Sequence, residues 1–387
     1  MTLSLKKETL LVQTGNDRDE PLGAVNTPIY LSAPYRHQNI GLSNGYDYIR
    51  TGNPTRDVLE RAIAELENGD RGFACSSGMS AIQLAFSLFK TGDHIIASRD
   101  LYGGSYRIFE WFSTNYQIQF SFWNPENEII DKLIQTNTKA IFIETPTNPL
   151  MRETDLQILS EFARENGLLM IVDNTFYTPI IQRPIEMGAD IVIHSATKYL
   201  GGHNDVLAGL VISGNEEIST KLSENHNTCG AVLGPFDSWL LIRGMKTLAL
   251  RMRQHEENAK KIYSYLKQHQ LAITVHYPGK GGMVSFEIAN EACVSPFLRS
   301  LKIFTFAEIL GGVESLITYP ATQTHADIPE ETRQSYGLSN RFLRISVGIE
   351  HAEDLISDLE QAFHCLEKDG LAPSTKVKGG GQVESVR

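Results

Sequence analysis

Two short apolar runs constrain this chain more than any other feature. Leu168 to Val172 ends in Asp173-Asn174-Thr175, and Ile191-Val192-Ile193 stops at His194-Ser195-Ala196-Thr197-Lys198. Both give way abruptly to small hydroxyl and charged residues, the pattern of a buried strand reaching the edge of its sheet. Only 25 residues separate Asp173 from Lys198. That leaves room for one short crossover, Tyr177 to Gly188, so the two strands are expected to be parallel neighbours in an α/β sheet. Such sheets bind ligands beyond the carboxyl ends of their strands. A lysine delivered there loses hydration, which lowers its pKa and makes it usable as an imine-forming nucleophile.

The same punctuation recurs along the chain. Residues 1–53, with Pro21, Pro28 and Pro34 and no sustained periodicity, read as an extended arm without a core of its own. Thr55 is expected to cap a helix carrying Leu59, Ala62, Ile63 and Leu66 on one face, with Gly69 at its end. The run Gly72 to Cys75 meets Ser76-Ser77-Gly78-Met79, where a helix with Ile82, Ala85, Phe86 and Phe89 begins. Amide groups at such a start suit a phosphate. Strands follow at His94 to Ala97, before Asp100-Leu101-Tyr102, and at Ala140 to Ile143, before Glu144-Thr145-Pro146-Thr147-Asn148-Pro149; a further apolar run spans Val206 to Ile212. This region, 54–245, reads as the large domain. A long helical stretch from Pro235 to about Leu271 leads into a smaller α+β domain, 246–370, with strands near Ile273, Val284, Leu316 and Phe342 and a last helix through Leu355 and Phe363. Residues 371–387 read as a polar, disordered tail. No internal repeat is present.

A Schiff-base lysine with an aspartate for a pyridinium nitrogen is the protein signature of pyridoxal phosphate (PLP). Asp173 and Lys198 supply that pair, and Ser195 and Thr197 add hydroxyl donors suited to a phosphate. Composition narrows the context. A net charge of −11 argues against a nucleic-acid partner. Four cysteines without metal-ligand spacing indicate neither a zinc site nor a disulfide framework, which points to a reducing cytoplasm. The start carries no continuous apolar core of a signal peptide, and no apolar run is long enough to span a membrane.

From about Thr9 to Glu367 the chain resembles the PLP-dependent Cys/Met-metabolism (trans-sulfuration) enzymes of fold type I. The resemblance rests on Tyr48-Ile49-Arg50…Asn53-Pro54-Thr55, Ser76-Ser77-Gly78-Met79, Glu144 to Pro149, Asp173-Asn174-Thr175, Ser195 to Tyr199, Gly311-Gly312-Val313-Glu314-Ser315 and Arg344 to Glu350. It is strongest toward the cystathionine γ-synthases and O-acetylhomoserine thiolyases. It implies that Lys198 holds the cofactor covalently, Asp173 pairs with its ring nitrogen and Tyr102 stacks on the ring. Ser77, Gly78, Met79, Ser195 and Thr197 would hold the phosphate, joined by Tyr48 and Arg50 of a neighbouring subunit in a dimer with shared sites, assembled further into a tetramer. Arg344 would grip the substrate α-carboxylate with help from Asn148. Glu314, beside Ser315, would meet the amino end of the second substrate, and Arg107 a distal carboxylate.

The implied reaction is γ-replacement on an O-acylhomoserine by cysteine, giving cystathionine, with Lys198 as proton shuttle and Tyr102 assisting. Sulfide in place of cysteine, elimination by a γ- or β-lyase, and a non-catalytic PLP-binding regulator are the alternatives. Two departures stand out: Ile49 replaces a serine common in the family, and Gly104 stands where methionine γ-lyases carry a cysteine. His325 lacks a nucleophile or metal partner and reads as a structural hydrogen-bonding group.

Overall fold

The computed structural model describes residues 5–16 and 22–371. The expected tail lies, apart from Leu371, outside the described residues.

Seven strands build the first sheet: β1 (Arg71–Cys75), β2 (His94–Ser98), β3 (Gln119–Trp123), β4 (Thr138–Glu144), β5 (Leu169–Asp173), β6 (Ile191–His194) and β7 (Gly209–Ser213). Their order is β1-β7-β6-β5-β4-β2-β3. All neighbours are parallel except β7, which runs antiparallel to both β1 and β6. The expected parallel pairing of the Asp173 and Lys198 strands is therefore present. Strand β3, at the edge, has no clear signal in the sequence: its burial is only partial, so it lacks a long apolar run.

Both faces of the sheet are covered. Along β4, Ile141 and Ile143 enter one apolar cluster while Ala140 and Phe142 enter the other. This two-residue alternation, apolar on both sides, is what a parallel strand buried between helices requires. The first cluster receives α1 (Lys7–Gln13) and α2 (Pro54–Glu67); the second receives α3 (Gly78–Phe86) and α4 (Gly103–Tyr116). At its centre Phe86 stacks on Phe109 at 5.1 Å and meets Phe142 edge-on at 5.8 Å. Burying one such side chain contributes about 1.5–3 kcal/mol.

The ends of α2 correct the expectation. Asn53 is the cap, its side chain accepting from the Thr55 and Arg56 amides, with Pro54 in the first helical position. The Thr55 hydroxyl instead accepts from the Tyr30 amide and donates to the Pro28 carbonyl, tying the arm to the helix. Asn68, not Gly69, takes the left-handed conformation at the far end, with φ 59°, a region asparagine enters more readily than most residues.

Helices α5 (Leu156–Glu165) and α6 (Thr178–Ile181) flank β5, and α7 (Glu216–Cys229) follows β7. The helical stretch from Pro235 is two helices, α8 (Pro235–Met245) and α9 (Leu248–Gln268). The second sheet holds β8 (Ala272–His276), β9 (Met283–Ile288), β10 (Thr305–Phe306), β11 (Leu316–Thr318) and β12 (Phe342–Ser346), in the order β10-β11-β12-β9-β8. Only β10 and β11 are parallel. With them come α10 (Val294–Ser300), α11 (Glu330–Ser335) and α12 (Ala352–Lys368). Ile262, Phe286, Phe297, Ile345, Leu359 and Phe363 form their shared core. Among the described residues no helix is long and apolar enough to cross a membrane.

Candidate active site

The strands of the first sheet deliver charged groups to one edge. Glu144 ends β4 opposite Asp173, which ends β5, and Asp173 in turn pairs with Ile193 of β6. Lys198 follows β6 by four residues. A cleft enclosing about 870 Å3, counting its open mouth, lies beyond this edge, a size typical of ligand pockets. Asp173, Lys198 and Glu144 all line it.

Burial lowers the Lys198 pKa to about 8; nearby Arg344 acts in the same direction and Asp173 opposes them. Among the described residues the amine makes no hydrogen bond or ion pair, so its neutral form, made more accessible by burial, is not tied down by a partner. Burial pushes the Asp173 carboxyl up, countered by its bonds from Thr175 and by the charges of His194 and Lys198. The Thr175 amide donates to Asp173 at 2.9 Å, while the Thr175 hydroxyl accepts from the Ser195 amide at 2.8 Å. One threonine thus couples the ends of β5 and β6. Behind them, His194 Nε2 lies 2.6 Å from Glu67 of α2, and Glu67 also accepts from Asn174 at 2.9 Å.

An anion cradle closes one end. Ser77 caps α3 in a reciprocal box with Ser80, the Ser80 amide donating to the Ser77 hydroxyl at 3.1 Å. The Gly78 and Met79 amides, first in the helix, have no carbonyl within it to bind. A Cβ added to Gly78 would lie 2.9 Å from both Cβ and Oγ of Ser195, so glycine is needed to keep this gap open. The Ser195 hydroxyl has no partner among the described residues. Thr197 lines the cleft as well, but its hydroxyl is engaged with Ala208, accepting at 3.0 Å and donating at 3.2 Å.

The opposite wall comes from the second sheet. Arg344, on β12 and 1% exposed, donates to Asn148 Oδ1 at 2.8 Å and to Thr318 Oγ1 at 3.1 Å. Its Nε is buried without a partner. Burial lowers its pKa to about 10, which still leaves it charged at neutral pH. His325 Nε2 lies 3.0 Å from the Asn148 carbonyl, and its Nδ1 lies 2.8 Å from the Thr324 hydroxyl. Burial brings the His325 pKa down to about 4, so the ring is neutral and holds Asn148 in place, the structural role expected of it. Tyr102, exposed at the cleft, is fixed through its amide, which donates to Glu144 Oε2 at 2.9 Å.

Five expected residues lie elsewhere in this chain. Tyr48 is exposed, and Arg50 packs 5.6 Å over its ring while donating to Asn227 Oδ1 at 2.8 Å, beside a separate cavity. Glu314 does not reach the cleft, because its carboxylate accepts from Asn204 at 2.7 Å on the surface. Ser315 is buried and bonded to Glu350 at 2.8 Å. The glycines before them serve packing: a Cβ on Gly311, at φ +78°, would lie 2.6 Å from the Tyr199 amide nitrogen. Arg107 points away to an exposed ion pair with Asp327. Among the lining residues that sequence reasoning did not assign to the site are the polar ones Glu144, Thr175 and Glu308. Glu144 and Thr175 carried a signal, since each stands at a strand end; Glu308 carried none.

The residues present fit pyridoxal phosphate. Free amides and a hydroxyl surround a gap that a single Cβ would fill, a carboxylate stands at the sheet edge, and a lysine of lowered pKa, without a partner among the described residues, lines the same cleft. Among the described residues no cluster of side chains could hold a metal ion.

Comparison with known proteins agrees with this chemistry. Residues 8–364 match the family described as Cys/Met metabolism PLP-dependent enzyme. The chain is 58% identical over 369 residues to cystathionine γ-synthase/O-acetylhomoserine (thiol)-lyase of Bacillus subtilis, covering 95% of this chain and 99% of that one. It is 48% identical to cystathionine γ-lyase of the same organism, covering 93% and 99%. Among solved structures, cystathionine γ-synthase from Xanthomonas oryzae pv. oryzae in complex with cystathionine superposes with a TM-score of 0.92 at 41% identity, covering 95% of this chain and 100% of that one.

Proposed function

Because this chain belongs to the Cys/Met metabolism PLP-dependent enzymes, we propose that it catalyses γ-replacement on an O-acylhomoserine, with cysteine as the nucleophile and cystathionine as the product. Bound in the cleft, pyridoxal phosphate supplies an electron sink that acidifies the carbons of an amino-acid substrate. The cradle at Ser77, Gly78, Met79 and Ser195 would take its phosphate, Asp173 its ring nitrogen and Tyr102 its ring face.

The protein's own groups then divide the work. Arg344, already locked by Asn148 and Thr318, offers its free edge to the substrate α-carboxylate. Lys198, with a pKa of about 8, takes a proton from Cα and passes protons among the neighbouring carbons, because its pKa lies near the working pH. The Cγ–O bond breaks with departure of the acyl carboxylate, the cysteine sulfur forms the new bond at Cγ, and the thiol proton is released.

The observation that carries this reading is Glu308. It lines the cleft together with Arg344, so the site offers a cation for the first amino acid and a carboxylate at the mouth for the ammonium of a second. A sulfide nucleophile would need no such group. Elimination is the second reading, supported by the 48% identity to a γ-lyase; it differs only in whether a thiol arrives before water.

Each site is completed, in this reading, by a second copy. The arm leaves Leu22, Val25, Leu31 and Ile40 exposed by 88, 73, 76 and 99%, apolar surface that calls for a partner. Tyr48 and Arg50 on that arm would then reach the neighbour's phosphate.

The test is the ratio of cystathionine to 2-oxobutanoate formed from O-acetylhomoserine at fixed cysteine. Glu308→Ala should weaken cysteine use roughly fivefold, the worth of one solvent-exposed charge pair, and shift flux toward 2-oxobutanoate. Glu314→Ala should leave the ratio alone. An unchanged ratio in Glu308→Ala removes that residue from nucleophile selection, and an unsubstituted enzyme that makes mainly 2-oxobutanoate is a lyase.

A further inference from the structure

We propose that Glu144 stands in the resting site as a neutral carboxylic acid, a positioning residue that anchors Tyr102 and leaves Asp173 as the one carboxylate charge at the strand ends lining the cleft.

Glu144 and Asp173 are register partners on adjacent parallel strands. Partners in such a ladder project from the same face, on strands about 4.8 Å apart, and both side chains line the cleft. Two carboxylates in one buried site disfavour each other's ionisation, so a proton is retained by the less supported one. The support is unequal. Asp173 accepts from the Thr175 amide at 2.9 Å and has the His194 and Lys198 charges near it. Glu144, 6% exposed, accepts among the described residues from a single donor, the Tyr102 amide, at 2.9 Å on Oε2.

The other charged groups facing Glu144 come from three elements. Asp173 on β5 and Asp100 after β2 both raise its pKa, and Arg344 on β12 opposes them; burial outweighs each, holding the carboxyl well above its usual range. Asp100 does not relieve the crowding: burial pushes its own carboxyl, bonded to the Thr147 hydroxyl, up only to about 6, which leaves it largely ionised at neutral pH. With Oε2 occupied by the Tyr102 amide, the retained proton belongs on Oε1. Glu144 then does two things: it ties the start of α4, and with it the Tyr102 ring, to the end of β4, and it adds no second charge beside Asp173. Neither depends on whether cysteine, sulfide or water completes the reaction.

The test uses the holoenzyme and the cofactor-free protein, each as wild type, Glu144→Gln and Glu144→Asp. Infrared spectra in D2O at neutral pH should show a protonated-carboxyl carbonyl band in the wild type. That band should be missing in Glu144→Gln and displaced in Glu144→Asp, so either variant assigns it if the other fails to fold. Glutamine can still accept from the Tyr102 amide, so Glu144→Gln should keep the wild-type midpoint when the visible absorption of bound PLP is titrated with pH. Were Glu144 ionised, deleting its charge would move that midpoint by about one pH unit or more. Glu144→Ala, which loses the anchor, should weaken PLP binding about tenfold, and Glu144→Gln should restore it. Absence of the band in the wild type, a band unchanged in the variants, or a displaced midpoint in Glu144→Gln would each overturn the proposal.

Discussion

Replacing Arg344 by lysine tests the substrate-gripping wall most directly. The guanidinium is held from behind by Asn148 at 2.8 Å and Thr318 at 3.1 Å, so its orientation is set before any substrate arrives. Lysine keeps the positive charge but replaces the planar fork with a point donor. One charge-assisted hydrogen bond to the carboxylate is then lost, about 1.5–3 kcal/mol, which corresponds to roughly a ten- to hundredfold loss of affinity. Arg344 is also the second cause, after burial, of the lowered Lys198 pKa. Because Arg344→Lys keeps that charge, the proton-transfer step should be little altered. The expected signature is a KM for O-acetylhomoserine raised ten- to hundredfold with kcat nearly unchanged, the pattern of lost uniform binding. PLP content after gel filtration should match the wild type. The methyl ester of the same substrate has no carboxylate for the fork and should bind both proteins alike. A KM unchanged in Arg344→Lys, or an equal loss for acid and ester, would refute the assignment of Arg344 to the carboxylate.

Two further expectations follow from the site. In the cofactor-free protein the folded-state pKa of Lys198 is lowered from 10.5 to about 8, so between those values the unfolded chain holds a proton that the folded one has released; stability should therefore rise with pH across that window by about 3 kcal/mol. Urea unfolding of wild type and Lys198→Met isolates this term as the difference between their pH profiles, and a flat difference contradicts it. If sites are shared between two chains as proposed, inactive Arg50→Ala and Lys198→Ala proteins should regain part of their activity when mixed under subunit exchange, since a mixed dimer contains one site free of both changes. No recovery, with exchange demonstrated by mass, would mean that each site is complete within one chain.

The part of the site that is legible in the sequence is the part built from short local patterns. Asp173 and Lys198 each follow an apolar run, and sheet geometry alone turns those endings into neighbours. Gly78 is legible for the same reason, as the start of a helix after a strand. Glu308 is not, because β10, which precedes it, is only two residues long and both are exposed. The glycines of the Gly311 to Ser315 motif drew attention to Glu314, yet Gly311 is there for close packing on the Lys198–Tyr199 backbone and Gly312 for close packing on the Asn204 side chain. Arg107 likewise sits where α4 could face the cleft, and only the fold shows that Asp327, 220 residues away, holds it. The substitution of Asn53 for Thr55 as the cap is of another kind: both residue types cap helices, and the choice depends on which hydroxyl or amide the arm already uses.

The cleft draws on two sheets that the ribosome produces in succession. Strand β7 lies between β1 and β6, and α8 and α9 complete the core beneath them with Leu241, Met245, Leu248 and Met252. Every residue of this chain assigned to PLP, from Ser77 to Lys198, has therefore been synthesised by Met252, together with most of the core beneath it. Arg344 emerges roughly ten seconds later at ordinary rates of elongation. The end of the cleft that receives the cofactor is thus separated in time from the wall that selects an amino acid. The groups of this chain assigned to the cofactor are all in place along the polypeptide before the arginine assigned to the substrate has been made.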